Sequence, residues 1–183
     1  MRKLLIELTY RFLALFGAAF ADRRIPPNKL LVCVFQQKIL GINRSVPWPV
    51  HRTSVIRAPH KILRGNRNPG LSMGIYMDGR NGIILGQNVL LGPRSSIISM
   101  NHDMLRYDRY IQEGPVRLGD NCWLGTGAIV LPGVQLGNHV VVAAGAVVTQ
   151  SFLGDDIVLA GVPARVIKKL EPYQPGDARP DGE

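Results

Sequence analysis

Aromatic side chains are scarce in this chain: Phe, Trp and Tyr make up 7% of its 183 residues. A core that leans on large rings is therefore excluded, and the interior must be filled by aliphatic side chains. Cysteine is scarcer still, with Cys33 and Cys122 the whole supply. Two thiols make neither a disulfide framework nor a zinc spacing, and they suit a reducing compartment. Long apolar runs are missing too. The cleanest stretch, Phe12 to Ala21, is about half the length of a membrane-spanning helix. Acidic residues are nearly absent from the first third. Residues 1–67 hold 13 Lys/Arg against 2 Asp/Glu, a formal +11, whereas residues 68–183 hold 9 against 11, a formal −2. Such a basic third suits anionic lipid or a phosphorylated ligand. Basic residues do not interleave with aromatics and no DNA-binding motif occurs, so a nucleic-acid partner is not expected. Neither a phosphate-binding GxxxxGK[ST] loop nor a GxSxG nucleophile elbow is present.

What the chain has in quantity is glycine, 20 residues, and a period of six. An aliphatic or small residue stands at Leu118, Leu124, Val130, Leu136, Val142, Val148, Gly154, Ala160 and Val166. A small residue often follows it, as at Gly119, Gly125, Gly137, Ala143 and Gly161. A second apolar set comes four positions after each start, from Cys122 and Ala128 through Val134, Val140 and Ala146 to Ala164. Neither a 3.6-residue helix nor a two-residue alternation makes glycine recur in one phase of six. A chain that turns a corner every six residues does, with short strands between corners and each coil stacked on the last. Cys122 falls on an inward position and is expected in the core.

The period is weaker upstream, at Val50, Ile56 and Ile62, and clear again at Leu85, Leu91 and Ile97. It then breaks. Ile97 to Leu118 is 21 residues, three more than a whole number of hexapeptides. The chain must leave the coil in Ser99 to Val116, a polar loop, and a regular solenoid that ejects one polar loop does so for function. Ahead of the coils, residues 2–21 are expected as an amphipathic helix. Helical spacing groups Leu5, Leu8, Phe12, Leu15, Phe16 and Ala19, a face that either packs on the protein or lies on a membrane; cleavage as a signal peptide is a further reading. A short helix is expected over Lys29 to Leu40, and Pro47-Trp48-Pro49 fixes an extended segment. Pro163 is expected to open a terminal helix over Ala164 to Leu170. The Pro-, Gly- and Asp-rich tail from Pro172 to Glu183 is expected to be disordered.

The period, Trp123, the run LPGV, the run AAGAVVT and the run AGVPARVI occur together and in order. With them the chain resembles the hexapeptide-repeat acyltransferases, in their sugar or polysaccharide O-acetyltransferase-like branch. The resemblance covers roughly residues 50–170. It implies a mainly β fold, a left-handed parallel β-helix, here with an N-terminal helix and a short C-terminal helix. The expected organisation is an N-terminal helical segment and connector over residues 1–49, a β-helix domain over 50–163 with the loop 99–116, and a helix and tail over 164–183. The handedness comes from the resemblance alone, since parallel crossovers are ordinarily right-handed.

The resemblance also implies a function. Acetyl-CoA would be the donor, a sugar hydroxyl the acceptor, and a homotrimer the working form. His102, at the start of the ejected loop, matches the family's catalytic base. An imidazole titrates near neutral pH and can take a proton from a hydroxyl as it attacks a thioester. Asp103 could orient that imidazole or simply form a turn. Asn81 and Asn101 are candidates for touching the acceptor. The family pattern places Trp123, Gly125 and Thr126 by the pantetheine, with the Thr126 backbone N–H as oxyanion donor. Ala144 and Thr149 follow along the arm, and Arg165 and Lys168 face the nucleotide phosphates. Many relatives carry Lys where this chain has Gln150, which removes one contact. No metal is expected, because the four histidines lack the spacing of the zinc enzymes that share this fold. Two rival functions remain: transfer to the amine of a nucleotide sugar, and a β-helical scaffold without catalysis. A small or lipid-linked sugar acceptor and a cytoplasmic location, at the inner face of a membrane if the first helix binds there, complete the expectation.

Overall fold

In a computed structural model that describes residues 2–175, the period of six becomes a triangular coil. Its strands are β1 (Val55–Arg57), β2 (Ile62–Leu63), β3 (Tyr76–Asp78), β4 (Ile83–Leu85), β5 (Leu90–Leu91), β6 (Ser96–Ile98) and β7 (Val116–Leu118). They continue as β8 (Trp123–Leu124), β9 (Ile129–Val130), β10 (Gln135–Leu136), β11 (Val140–Val142), β12 (Val147–Val148), β13 (Ile157–Gly161) and β14 (Ala164–Lys169). From β3 to β12 every third strand stacks on the same face. Face one runs β1-β3-β6-β9-β12, face two β2-β4-β7-β10, and face three β5-β8-β11-β13-β14. All these pairings are parallel except the last. The protein is a mainly β, parallel β-solenoid of the β-helix type.

Two physical facts produce the coil. Each short strand turns one aliphatic residue inward, and these stack in columns: Ile56, Met77, Ile97, Val130 and Val148 behind face one are all at most 7% exposed. The glycines let the coils approach. A Cβ on Gly86, Gly119 or Gly137 would come within 2.4–2.5 Å of the next coil, and one on Gly125 within 2.7 Å of the Ala144 nitrogen. No Cβ survives that approach, so glycine recurs at the corners for want of space. Cys122 is fully buried, as its phase required.

The first coil is closed by Val46, Trp48 and Val50, all buried. Gln37, itself 1% exposed, ties that plug down. Its amide donates to the Val46 and Trp48 carbonyls at 3.2 and 3.0 Å, and its oxygen accepts from the Val50 N–H at 3.1 Å. A buried end of coil thus has its backbone groups satisfied by one side chain.

Ahead of the plug lie α1 (Arg2–Ala14), a 3₁₀ turn at Ala18–Ala21, and α2 (Pro27–Val34), which runs on as a π-helical turn over Phe35–Ile39. The single helix expected over residues 2–21 is broken at Gly17, whose φ of +118° no other residue adopts without strain. Tyr10, Leu13, Phe20, Leu30, Cys33 and Val34 form a small core of their own. Leu5, Leu8, Phe12 and Leu15 do not join it; they face solvent.

The C-terminal helix expected at Ala164–Leu170 is instead a strand. The Gly161-Val162-Pro163 turn reverses the chain, and β14 pairs antiparallel with β13. The open edge of face three offers a ladder of backbone partners, and Val166 and Ile167 fit a strand better than a helix. Of the tail expected to be disordered, residues 176–183 lie outside the described residues.

Candidate active site

The ejected loop leaves face one after β6 and rejoins face two at β7, so it springs from the corner between those faces. Its stalk is a short two-stranded ladder. His102 and Tyr110 form an antiparallel bridge, Asp103 N–H donates to the Arg109 carbonyl at 3.0 Å, and Ile111 N–H donates to the Asn101 carbonyl at 2.9 Å. The stalk rests on the corner of the preceding coil. Ser99, fully buried, donates its N–H to the Asp78 carbonyl and accepts the Asn81 N–H on its hydroxyl. The Asn81 amide donates to the Ile111 carbonyl at 2.9 Å, while its own Oδ1 is buried with no hydrogen-bond partner.

His102 is exposed on this stalk, and its Nδ1 lies 2.6 Å from the Tyr107 carbonyl. A carbonyl only accepts, so Nδ1 carries the proton and Nε2 presents a lone pair. The group that orients the imidazole is therefore a backbone carbonyl rather than Asp103. Neighbouring side chains on a strand point to opposite sides, and the Asp103 carboxylate turns away to accept the Leu105 N–H at 2.8 Å.

A chain of contacts holds the ring from behind. His102 stacks on Tyr110 with centroids 4.4 Å apart, and the Arg80 guanidinium lies over the other ring 4.8 Å from its centre. Arg80 grips Asp78 through Nη2–Oδ2 at 2.7 Å and Nε–Oδ1 at 2.9 Å. Asp78 is 1% exposed. Burial alone would raise its pKa, but the hydrogen bonds and charge of Arg80 outweigh this and hold it below the usual value. Arg80 is in turn pushed above its ordinary value by that carboxylate. Sequence reading missed Asp78, Arg80 and Tyr110. An Asp-x-Arg turn was visible in Asp78-Gly79-Arg80, but the contact with a ring thirty positions away was not.

The residues expected at the donor sit elsewhere. Trp123, half-exposed, lies on face three in a row with Val141, Val158 and Lys168. At strand spacing, Trp123 and Lys168 stand about 14 Å apart. Arg165 lies farther along β14, opposite Ala160. Gly125, Thr126 and Ala144 form the corner between faces three and one. There the N–H groups of Gly125, Gly127 and Ala128 are used by the coil, while that of Thr126 meets no acceptor among the described residues. Six of the seven expected donor residues are thus gathered on one side. Thr149 is not among them. It lines a cleft with Glu113, Pro132, Gly133 and Gln150 at the base of the loop.

Face one separates the two groups. From Thr126 to Pro132, the corner level with Ser99, is six residues, roughly 20 Å of extended chain. Within one chain, His102 and Thr126 stand at opposite edges of that face. Among the described residues no three His, Cys, Asp or Glu gather as metal ligands.

Residues 115–150 match the family described as bacterial transferase hexapeptide (six repeats). The galactoside O-acetyltransferase of Escherichia coli K12 is 33% identical over 91 residues, 48% of this chain and 44% of that one. A candidate lipopolysaccharide-biosynthesis O-acetyl transferase of the same strain is 33% identical over 99 residues, 48% of this chain and 50% of that one. The chain spans about half the length of these curated relatives. Among solved structures, a hexapeptide-repeat acetyltransferase of Vibrio cholerae O1 biovar eltor, complexed with acetyl coenzyme A, superposes with a TM-score of 0.56 at 27% identity, covering 64% of this chain and 68% of that one. Fold and repeat define a parallel β-solenoid of hexapeptides. Together with these likenesses they make the chain similar to the hexapeptide-repeat acetyltransferases over that solenoid.

Proposed function

We propose that this protein is a coenzyme-A-dependent O-acetyltransferase that moves an acetyl group from acetyl-CoA to a sugar hydroxyl, in the assembly of a surface polysaccharide. The observation that carries the reading is the imidazole of His102, fixed by the Tyr107 carbonyl so that Nε2 faces outward as a base. His102 Nε2 takes the proton of the acceptor hydroxyl as its oxygen bonds to the thioester carbon. The Thr126 N–H receives the oxyanion that forms. When the C–S bond breaks, His102 returns its proton to the departing thiolate, so the imidazole ends neutral and coenzyme A leaves as a thiol. Trp123, Gly125, Ala144, Arg165 and Lys168 hold the donor, the last two by charge on its phosphates, and Thr149 is the donor contact nearest the loop. Asn81 and Asn101, beside the loop stalk, contact the acceptor. Asp103 shapes the loop turn.

The working form is a homotrimer in which each site is shared. The distance between His102 and Thr126 along face one supports this, because one chain alone brings no base to its own donor corner. Coenzyme A implies a cytoplasmic location. A membrane contact through the first helix is independent of the catalytic reading. The same base would serve transfer to an amine, so a nucleotide-sugar N-acetyltransferase is the nearest rival.

Calorimetric titration with acetyl-CoA, beside dephospho-CoA, tests the donor half without knowing the acceptor. Saturable binding near one per protomer, retained in His102→Ala while transfer falls on the order of 100- to 10,000-fold, is the expected outcome. A folded protein that binds no acetyl-CoA would return the scaffold reading.

A further inference from the structure

Helix α1 has two apolar faces, and the protein covers only one. At about 100° per residue, Tyr10 and Leu13 share an arc that is buried against α2. Leu5, Leu8, Phe12 and Leu15 share another arc, roughly 150° round the helix. With Leu4 they are 49–79% exposed. A polar seam of Lys3, Glu7 and Arg11 separates the two faces on one side. Beyond α1, Leu31, Phe35 and Ile39 of α2 and its π turn are also exposed. A stripe this apolar is costly to leave in water and marks a contact surface.

Charge decides what covers it. Residues 1–44 carry eight Lys/Arg against two Asp/Glu, a formal +6. Both acids are already engaged: Glu7 with Arg23 and Asp22 with Arg24, each at 2.8 Å. Two copies meeting here would oppose +6 with +6. An anionic surface gains from the same charge. Length decides the orientation. Thirteen residues rise about 20 Å, short of a bilayer core of about 30 Å, and no helix among the described residues is long and apolar enough to cross a membrane. We propose that α1 lies in the plane of an anionic lipid surface, with Leu5, Leu8, Phe12 and Leu15 sunk among the acyl chains, Tyr10 and Leu13 facing the protein, and the flanking lysines and arginines on the headgroups.

The test is flotation of the full chain with phosphatidylcholine vesicles, with and without phosphatidylglycerol, beside the double variant Leu8→Gln/Phe12→Gln. Both positions are exposed, so the variant is expected to unfold at the parental temperature and to bind acetyl-CoA as the parent does. The parent should float with phosphatidylglycerol vesicles, less so at high salt, and the variant should partition about thirtyfold more weakly. A parent that stays in solution, or a variant that floats equally, overturns the proposal. So does a variant whose mass in sedimentation falls to that of a smaller assembly, for then another copy covers the stripe. None of these outcomes bears on acetyl transfer.

Discussion

Arg80→Met tests the contacts behind the candidate base. The Asp78 side chain is 2% exposed and that of Arg80 30%, so the substitution strands a buried carboxylate. Breaking one partner of a buried pair costs about 3–5 kcal/mol. The half-wet guanidinium and the option of protonating Asp78 put this case at the low end, about 3 kcal/mol. For a chain of this length that lowers the unfolding midpoint by roughly 6–12 °C. The pH dependence carries the sharper signature. In the parent, the Asp78 pKa lies below its usual 3.8, so its stabilising effect is complete above the unfolded value and is lost as pH falls through the folded one. In the variant only the backbone N–H of residue 80 and the charge of Arg57 still oppose desolvation, so the pKa rises and acidification relieves the buried charge. The gap between the two proteins should therefore be widest near neutrality and close as pH falls toward 4. Thermal unfolding by circular dichroism across that range measures it. Loss of the guanidinium also frees Tyr110 and hence the His102 ring, so transfer should fall about tenfold, taking the ring stack and cation–π contact together as about 1.4 kcal/mol, with acetyl-CoA affinity unchanged. A variant as stable as the parent at neutral pH, or a gap that does not narrow on acidification, would show that the pair holds nothing in place.

Two further outcomes are expected. His102→Ala and the double variant Arg165→Glu/Lys168→Glu should each be inactive, but dissociated and reassembled together in equal amounts they should recover about a quarter of parental activity, the chance that an intact base meets an intact donor face in a shared site; no recovery would mean that each chain builds its own site. Burial pushes the Cys122 thiol up to about 11 and the Cys33 thiol up as well, so Ellman's reagent should label neither in the folded protein at mildly alkaline pH and both after unfolding. Rapid labelling of the native chain would contradict their place in the core.

The coil was legible because its cause is local. One inward aliphatic per strand and one glycine per tight corner leave a period of six, and Cys122 and Gly125 stand where that period puts them. The loop was legible as a defect in the same period. The contacts that hold His102 were not, because Tyr107 and Arg80 act through a folded-back stalk and a neighbouring coil that leave no trace in spacing. The segment from Ala164 was misread for a related reason. Pro163 followed by Ala-Arg-Val-Ile-Lys-Lys satisfies a helix start locally, and only the free edge of β13 decides for a strand. In α1, periodicity gathered Leu5, Leu8, Phe12 and Leu15 correctly onto one face but could not say which face would be buried. Both are apolar, and the choice fell to Tyr10 and Leu13, where the Tyr10 hydroxyl donates to the Ile25 carbonyl at 2.8 Å.

The place of the loop also follows from the coil. Corners lie outside the ladders, so opening one between β6 and β7 leaves β6 paired with β3 and β9, and β7 with β4 and β10. Stretching a corner of about four residues to one of about seventeen is two doublings of loop length, which costs about 1.2 kcal/mol in closure entropy. The stack of Arg80, Tyr110 and His102, at about 0.5–1.5 kcal/mol for its ring contact and a similar amount for the cation over the ring, is large enough to offset that. A solenoid can thus carry a catalytic loop at almost no cost to its lattice, provided the preceding coil supplies a support. Here the support is anchored at Asp78, the one outward position of face one that is buried and charged. The residue that keeps the proposed base in place is therefore fixed in a different coil from the base itself, so substitutions that loosen the loop should be sought at that corner as much as in the loop.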